Sequence, residues 1–294
     1  MTRLLMLALL MPVLTRMPAM ILRIWVMYLY MNYNMNIEQI GFLDGLTVAW
    51  HVGHGGHDGC FVAPPSDFAQ ITRRLYAERR ARHEQVVLVQ LGANTLRTVW
   101  EHMFYSELSQ SQVDYHLVLV EANPHLIAGL RSALNTHNLD EGNVHIVNLA
   151  ICDSDKHSNA TLIVPKSESA FGTVALGTAK LPHVDYSEGQ VEKVSVECIT
   201  FPRLLERLSI SPDSVDGFTV DLEGMESTIV RQAFALDAFK PVFVHLDGPD
   251  MAFHHEILGK GYKYEAVGWY ATDFYYTLQA PFEAVVQARV SAQQ

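Results

Sequence analysis

From residue 85 onward the sequence predicts an α/β fold: a mainly parallel sheet with helices on both faces and an antiparallel C-terminal strand. Three observations predict it. Short apolar runs alternate with helix-length amphipathic segments, the signature of a sheet covered on both sides. Small or acidic residues follow three of those runs, at Gly92, Glu121 and Asp221, where an open parallel sheet holds its ligand. The tail carries two further runs rich in Tyr and Phe, which suit strands.

Taken in order, residues 86–91 read as the first strand, 96–108 as a helix, 116–120 as the second strand, and 124–136 as a helix opened by Pro124 in its first turn. Residues 144–149 follow as the third strand. A less regular stretch holds strands at 160–164 and 191–198 and a helix at 201–208. Residues 215–220 and 242–246 read as the fourth and fifth strands. The helix between them starts near Met225 and turns Ile229, Val230, Ala233 and Phe234 inward. The aromatic strands are 262–267 and 274–278, and residues 281–294 form a tail. No internal repeat is evident.

With 294 residues, 49% of them apolar, the chain has room for one such domain plus an N-terminal extension. A formal net charge of −11 would repel a phosphate backbone, and the dense run Arg73, Arg74, Arg79, Arg80 and Arg82 is interrupted by Glu78 and Glu84, so no nucleic-acid partner is expected. The three cysteines, Cys60, Cys152 and Cys198, lack metal-ligand spacing and are too few to staple a fold; they read as buried or incidental thiols.

Residues 1–37 contain Arg3, Arg16 and Arg23, no acidic residue, and otherwise mostly apolar side chains. The apolar run 4–14 suits the hydrophobic part of a secretory signal and is shorter than the ~20 residues that cross a bilayer. A membrane anchor continuing through Pro12, Arg16, Pro18 and Arg23 would be costly. The secretory pathway or a membrane surface is therefore the expected location, with an organellar presequence or an ordinary helix in a cytoplasmic protein as alternatives. The triplet Asn159-Ala160-Thr161 is compatible with the secretory reading. Residues 38–84 read as a linker and an N-terminal helix, the stretch 41–65 being a loop rich in Gly, His and Pro. His51, His54 and His57 could reach one ion, but the glycines among them oppose a preformed site, and no metal is expected.

The chemistry concentrates after strands one, two and four. Gly92, Ala93 and Asn94 are small enough to let the backbone approach a cofactor. Glu121, about thirty residues on, can accept hydrogen bonds from both hydroxyls of a ribose. Asp221, Glu223 and Glu226 crowd the turn after strand four; Glu226 reads as a helix-capping acid, whereas Asp221, at the end of an apolar strand, is expected to face the cleft. Oxygen ligands at Asp221 and Glu223 would suit magnesium or calcium, but one short carboxylate cluster does not make a metal site.

These motifs, Gly92-Ala93-Asn94, Glu121-Ala122-Asn123-Pro124 and Asp221-Leu222-Glu223-Gly224-Met225-Glu226, resemble in order and spacing those of the FkbM family of S-adenosylmethionine-dependent methyltransferases. The segment from Asn143 to Asp153 is similar to the family's third strand and following turn. The resemblance covers about residues 85 to 246, within a domain read as 85–280. It implies a Rossmann-like class I methyltransferase fold and S-adenosyl-L-methionine as cofactor. Gly92, Ala93 and Asn94 would line its methionine end, Glu121 and Asn123 would lie at the ribose, and Ala150 and Asp153 at the adenine. Asp221 and His245 would be catalytic and Glu223 would bind substrate, a sugar or other small-molecule hydroxyl.

Three departures stand out. Gln90 replaces an acid and Leu96 a glycine in the first motif, where a leucine is expected to push its side chain at the cofactor or force the turn open; His245 stands where the family commonly ends its fifth strand in glutamate. Two other classes remain: a catalytically inactive interaction domain that kept the fold, and an NAD-dependent oxidoreductase. The second is disfavoured because Gly92-Ala93-Asn94-Thr95-Leu96 lacks the glycine spacing that seats a pyrophosphate.

Overall fold

The structure, a computed structural model, describes residues 39–43, 46–50, 60–62, 66–96, 99–156, 158–166, 173–174, 189–222, 224–247, 251–267 and 273–279. The apolar leader, His51, His54, His57 and Glu223 lie outside the described residues. Two units divide the chain, Met1–Ala63 and Pro64–Gln294. The first contains β1 (Gln39–Leu43), β2 (Leu46–Trp50) and β3 (Cys60–Val62), a three-stranded antiparallel sheet in that order. The stretch expected to be a loop thus carries strands: Leu46-Thr47-Val48-Ala49-Trp50 joins β-branched and aromatic residues that favour extended pairing, despite the glycines around it.

The second unit opens with α1 (Ser66–Ala81) and is organised by a seven-stranded sheet. Its strands are β4 (Val86–Leu91), β5 (Tyr115–Val120), β6 (Val144–Val147), β11 (Val215–Val220), β12 (Phe243–Asp247), β13 (Tyr262–Val267) and β14 (Asp273–Leu278), in spatial order β13-β14-β12-β11-β4-β5-β6. Pairing is parallel from β6 through β12, while β14 runs antiparallel to both β12 and β13. Chain order reverses direction between β4 and β11, which opens a crevice at their carboxyl ends.

Helices cover both faces. Alternate β4 residues Val87, Val89 and Leu91 pack with α4 (Phe201–Arg207), α5 (Glu226–Phe234) and α6 (Met251–Gly259), while Val86 and Leu88 pack with α1, α2 (Val99–Gln110) and α3 (Ile127–Thr136). Ile229, Val230 and Ala233 of α5 are fully buried as their spacing predicts, with Phe234 partly so. The helix expected at 96–108 begins later, because Asn94 and Leu96 adopt left-handed backbone conformations, φ 46° and 52°, that cannot continue a right-handed helix. The helix expected at 124–136 opens with a 3-10 turn, Pro124–Leu126, before α3.

A β-bulge sets the lower edge of the crevice strands. The β4–β11 register slips at Asp216, and the Val87 N–H donates to the Asp216 carboxylate instead of to a strand carbonyl, at 3.2 Å. The other oxygen of this fully buried carboxylate accepts from Arg79 Nη2 at 2.7 Å, and Arg79 also donates to Glu84 at 2.5 Å. Other arginines of the basic run are paired too: Arg73 with Glu107, Arg74 and Arg82 with Glu78.

The third strand, expected to reach residue 149, stops at Val147, and the chain leaves the large sheet. β7 (Ala150–Ile151) joins β8 (Asn159–Pro165), β9 (Thr173–Val174) and β10 (Val191–Ile199) in a second sheet of order β7-β10-β8-β9. Here the cysteine expectation is corrected. Cys152 and Cys198 form a disulfide, with Cα atoms 5.8 Å apart, inside the span such bonds allow. The pairing arises from the parallel approach of β7 and β10, which residue spacing along the chain does not reveal.

Candidate active site

Three strand ends converge on one loop. Gly92 and Ala93 N–H groups both donate to the Val120 carbonyl at 2.9 Å, and the Asp221 N–H donates to the Leu91 carbonyl at 3.0 Å. Gly92, at φ 78°, lies so close to the end of β11 that an added Cβ would sit 1.7 Å from the Asp221 carbonyl oxygen. Only glycine fits both the conformation and the contact.

Glu121 ties this loop to the end of β5. Its carboxylate, 8% exposed, accepts from the Asn94 N–H at 2.7 Å through one oxygen and from the Asn123 N–H at 2.7 Å through the other. Burial pushes the carboxyl above its ordinary range, against the pull of the Asn123, Asn94 and Ala122 N–H groups. Each oxygen has capacity for a second hydrogen bond, so the carboxylate can fix the loop and still receive two ligand hydroxyls. Asn123 is buried and its side-chain oxygen caps the Pro124 turn by accepting from the His125 N–H at 3.1 Å. Asn148 Nδ2 donates to the Glu121 carbonyl at 2.8 Å, holding the strand end from the other side.

Leu96 corrects the expectation placed on it. Its side chain neither enters the cleft nor opens the turn: it is 2% exposed and packs beside Ala93, Leu130 and Leu134, while its carbonyl meets His137 Nε2 at 2.9 Å. The left-handed backbone that a glycine would adopt is kept, at the cost of about 1–2 kcal/mol, and core burial of the leucine offsets it. Leu96→Ala is expected to lower unfolding stability by about 2–4 kcal/mol in urea titrations; a loss under about 0.5 kcal/mol, the range of ordinary surface changes, would show that the side chain anchors nothing.

Asp221 is half-buried at the strand end, and the Glu226 carboxylate accepts from the Leu222 N–H at 2.7 Å and the Gly224 N–H at 2.9 Å. Glu226 is therefore the staple of its own turn, as the sequence suggested. His245 is 2% exposed and stacks on Tyr275, ring centroids 4.6 Å apart at 21°. Register places Gln90, Thr219, His245 and Tyr275 side by side across four strands, all buried, one residue before the ends of β4 and β11 and two before the end of β12. Ala150 is buried in the small sheet's core, against which Ala122 packs, and Asp153 is exposed beside Ser154.

One group was missed in the sequence. Gln90, noted only as a lost acid, donates through Nε2 to the buried carboxylate of Glu101 at 2.6 Å and accepts from the Tyr105 hydroxyl. A carboxylate thus adjoins the glycine loop from α2 instead of from β4. The signal was present as an acid in the first turn of the following helix, one turn before a tyrosine.

Among the described residues no group of three or more His, Cys, Asp or Glu is placed to hold a metal ion, and no helix is long and apolar enough to cross a membrane. Neither a curated protein nor a solved structure matches the chain. Residues 90–264 match the Methyltransferase FkbM domain, a span that runs from Gln90 at the end of β4 into β13 and takes in every strand end of the crevice. With more than half of its length inside that match, the chain belongs to the FkbM methyltransferase family.

Proposed function

We propose that the protein transfers a methyl group from S-adenosyl-L-methionine to a hydroxyl of a sugar or another small molecule. The observation that carries this reading is the Glu121 clasp: a buried carboxylate beside a glycine turn, satisfied by Asn94 and Asn123 and still able to accept from two hydroxyls. That pair of acceptor oxygens suits a ribose. Counted from Gly92, the turn carries Asn94 and Arg97 where a pyrophosphate-binding loop needs its second and third glycines, which favours a cofactor without phosphates over NAD.

When bound, S-adenosyl-L-methionine supplies a methyl carbon on a sulfonium, open to in-line displacement. The chain's task is then positioning and proton removal. Gly92, Ala93 and Asn94 border the methionine end, Glu121 holds the ribose with Asn123 fixing the turn beneath it, and Ala150 and Asp153 flank the adenine. Asp221 or His245 takes the proton of the acceptor hydroxyl, and Glu223 orients the acceptor. Of the two, Asp221 is favoured by its half-buried place at the strand end; His245, buried level with Thr219, two residues before Asp221, acts through its neighbours in the polar row.

Titration calorimetry of the full chain against S-adenosyl-L-methionine and, separately, NAD tests the reading. Saturable heat with the first alone is expected, and Glu121→Ala should weaken it about 100-fold, as two hydrogen bonds to a charged group would. Binding of NAD alone would move the protein to the oxidoreductases. Binding of neither, with an intact fold by circular dichroism, would mark an inactive interaction domain.

A further inference from the structure

The small sheet carries chemistry that methyl transfer does not use. Its buried face holds Ala150, Cys152, Ala160, Leu162, Val164, Val196 and Cys198, a core of small extent that a covalent link reinforces. The Cys152–Cys198 link closes 46 residues of chain, and disulfides of this kind persist where folding occurs in an oxidising compartment. The opposite face is polar and exposed around the start of β8. Asn159 and Thr161 of β8 both point there, with Ala160 between them turned into the core. Across the ladder Asn159 faces Glu197 and Thr161 faces Ser195, both exposed. Asn159-Ala160-Thr161 is the only Asn-x-Ser/Thr triplet in the sequence.

We propose that Asn159 is a site of N-linked glycosylation on a domain that matures in the secretory lumen with Cys152 and Cys198 oxidised. The two features point to one compartment independently, since the oligosaccharide is added and thiols are oxidised in the same lumen. In the first step the Asn159 side-chain nitrogen loses a proton and bonds to the anomeric carbon of a lipid-diphosphate-linked oligosaccharide. The bond from that carbon to the diphosphate oxygen breaks, and the lipid diphosphate leaves with the electron pair. In the second, the two thiols give up two protons and two electrons to the disulfide of a protein thiol oxidase, which is reduced to a dithiol. The glycan would project from the exposed face of β8, displacing none of the seven buried side chains.

The test is translation of the full chain in the presence of endoplasmic-reticulum microsomes. One slower-migrating species is expected, collapsed by endoglycosidase and missing for Thr161→Ala and for Asn159→Gln. In the same product, denatured so that the buried pair is accessible, maleimide labelling of Cys152 and Cys198 should require prior reduction. An unshifted product overturns the proposal, whether the chain stays outside the vesicles or enters them unmodified. So does a shifted product in which both thiols label without reductant.

Discussion

Asp216→Ala is expected to lower the unfolding free energy by about 3–5 kcal/mol, the cost of breaking a buried ion pair from one side, and to reduce the melting temperature by roughly 10 °C. Three groups depend on this carboxylate. Arg79 loses its 2.7 Å partner and keeps only Glu84, whose side chain is 30% exposed. The Val87 N–H loses its acceptor within a sheet where water does not reach. The bulge at Asp216 loses the side chain that compensates for the missed strand hydrogen bond. Asp216→Asn keeps an acceptor for Val87 and should recover part of the loss, and Arg79→Ala, which strands a buried carboxylate, should cost about as much as Asp216→Ala. A double mutant whose loss equals the sum of the singles would show that the pair is not coupled and that α1 is held by other contacts. Thermal melts followed by circular dichroism suffice.

Gly92→Ala should be the most damaging single change at the site. The new methyl group would enter the space of the Asp221 carbonyl, 1.7 Å away, on a backbone at φ 78°. No rotamer relieves the clash, because Cβ has none. Either the glycine loop or the end of β11 must move, and a displacement of about 1 Å at reacting groups costs on the order of 100-fold. The rate of methyl transfer is expected to fall by at least that factor, with weakened S-adenosyl-L-methionine affinity in calorimetry and a stability loss of about 1–3 kcal/mol from the strain. Undiminished affinity would mean that the loop tolerates either position, and that its closeness to Asp221 has no part in binding.

Much of the domain was legible because strands buried on both faces leave an unambiguous pattern. Val86–Leu91 and Val215–Val220 lie where the apolar runs put them, and Gly92, Glu121 and Asp221 fall at adjacent strand ends. What escaped did so for identifiable reasons. Helix α6 buries only Phe253 and Ile257 among its described side chains, too few for a periodic signal beside two histidines. The departure of the chain after Val147 into a second sheet leaves no mark in hydrophobicity, since β6 and β7 are both short and apolar. Leu96 was misjudged because the reading treated a left-handed turn as a steric problem alone. The missing consideration was a core position within reach, able to compensate a conformation that leucine disfavours.

That leucine changes when the loop acquires its shape. A glycine in the same place would leave the turn free to sample several conformations until a ligand selected one. With Leu96 locked among Leu130, Leu134 and Ala93, and its carbonyl held by His137, the turn is set as α2 and α3 fold onto the sheet. The ordering entropy is spent at folding and not at binding. On the proposed function, ligand recognition would therefore depend on the packing of the helix layer behind the loop.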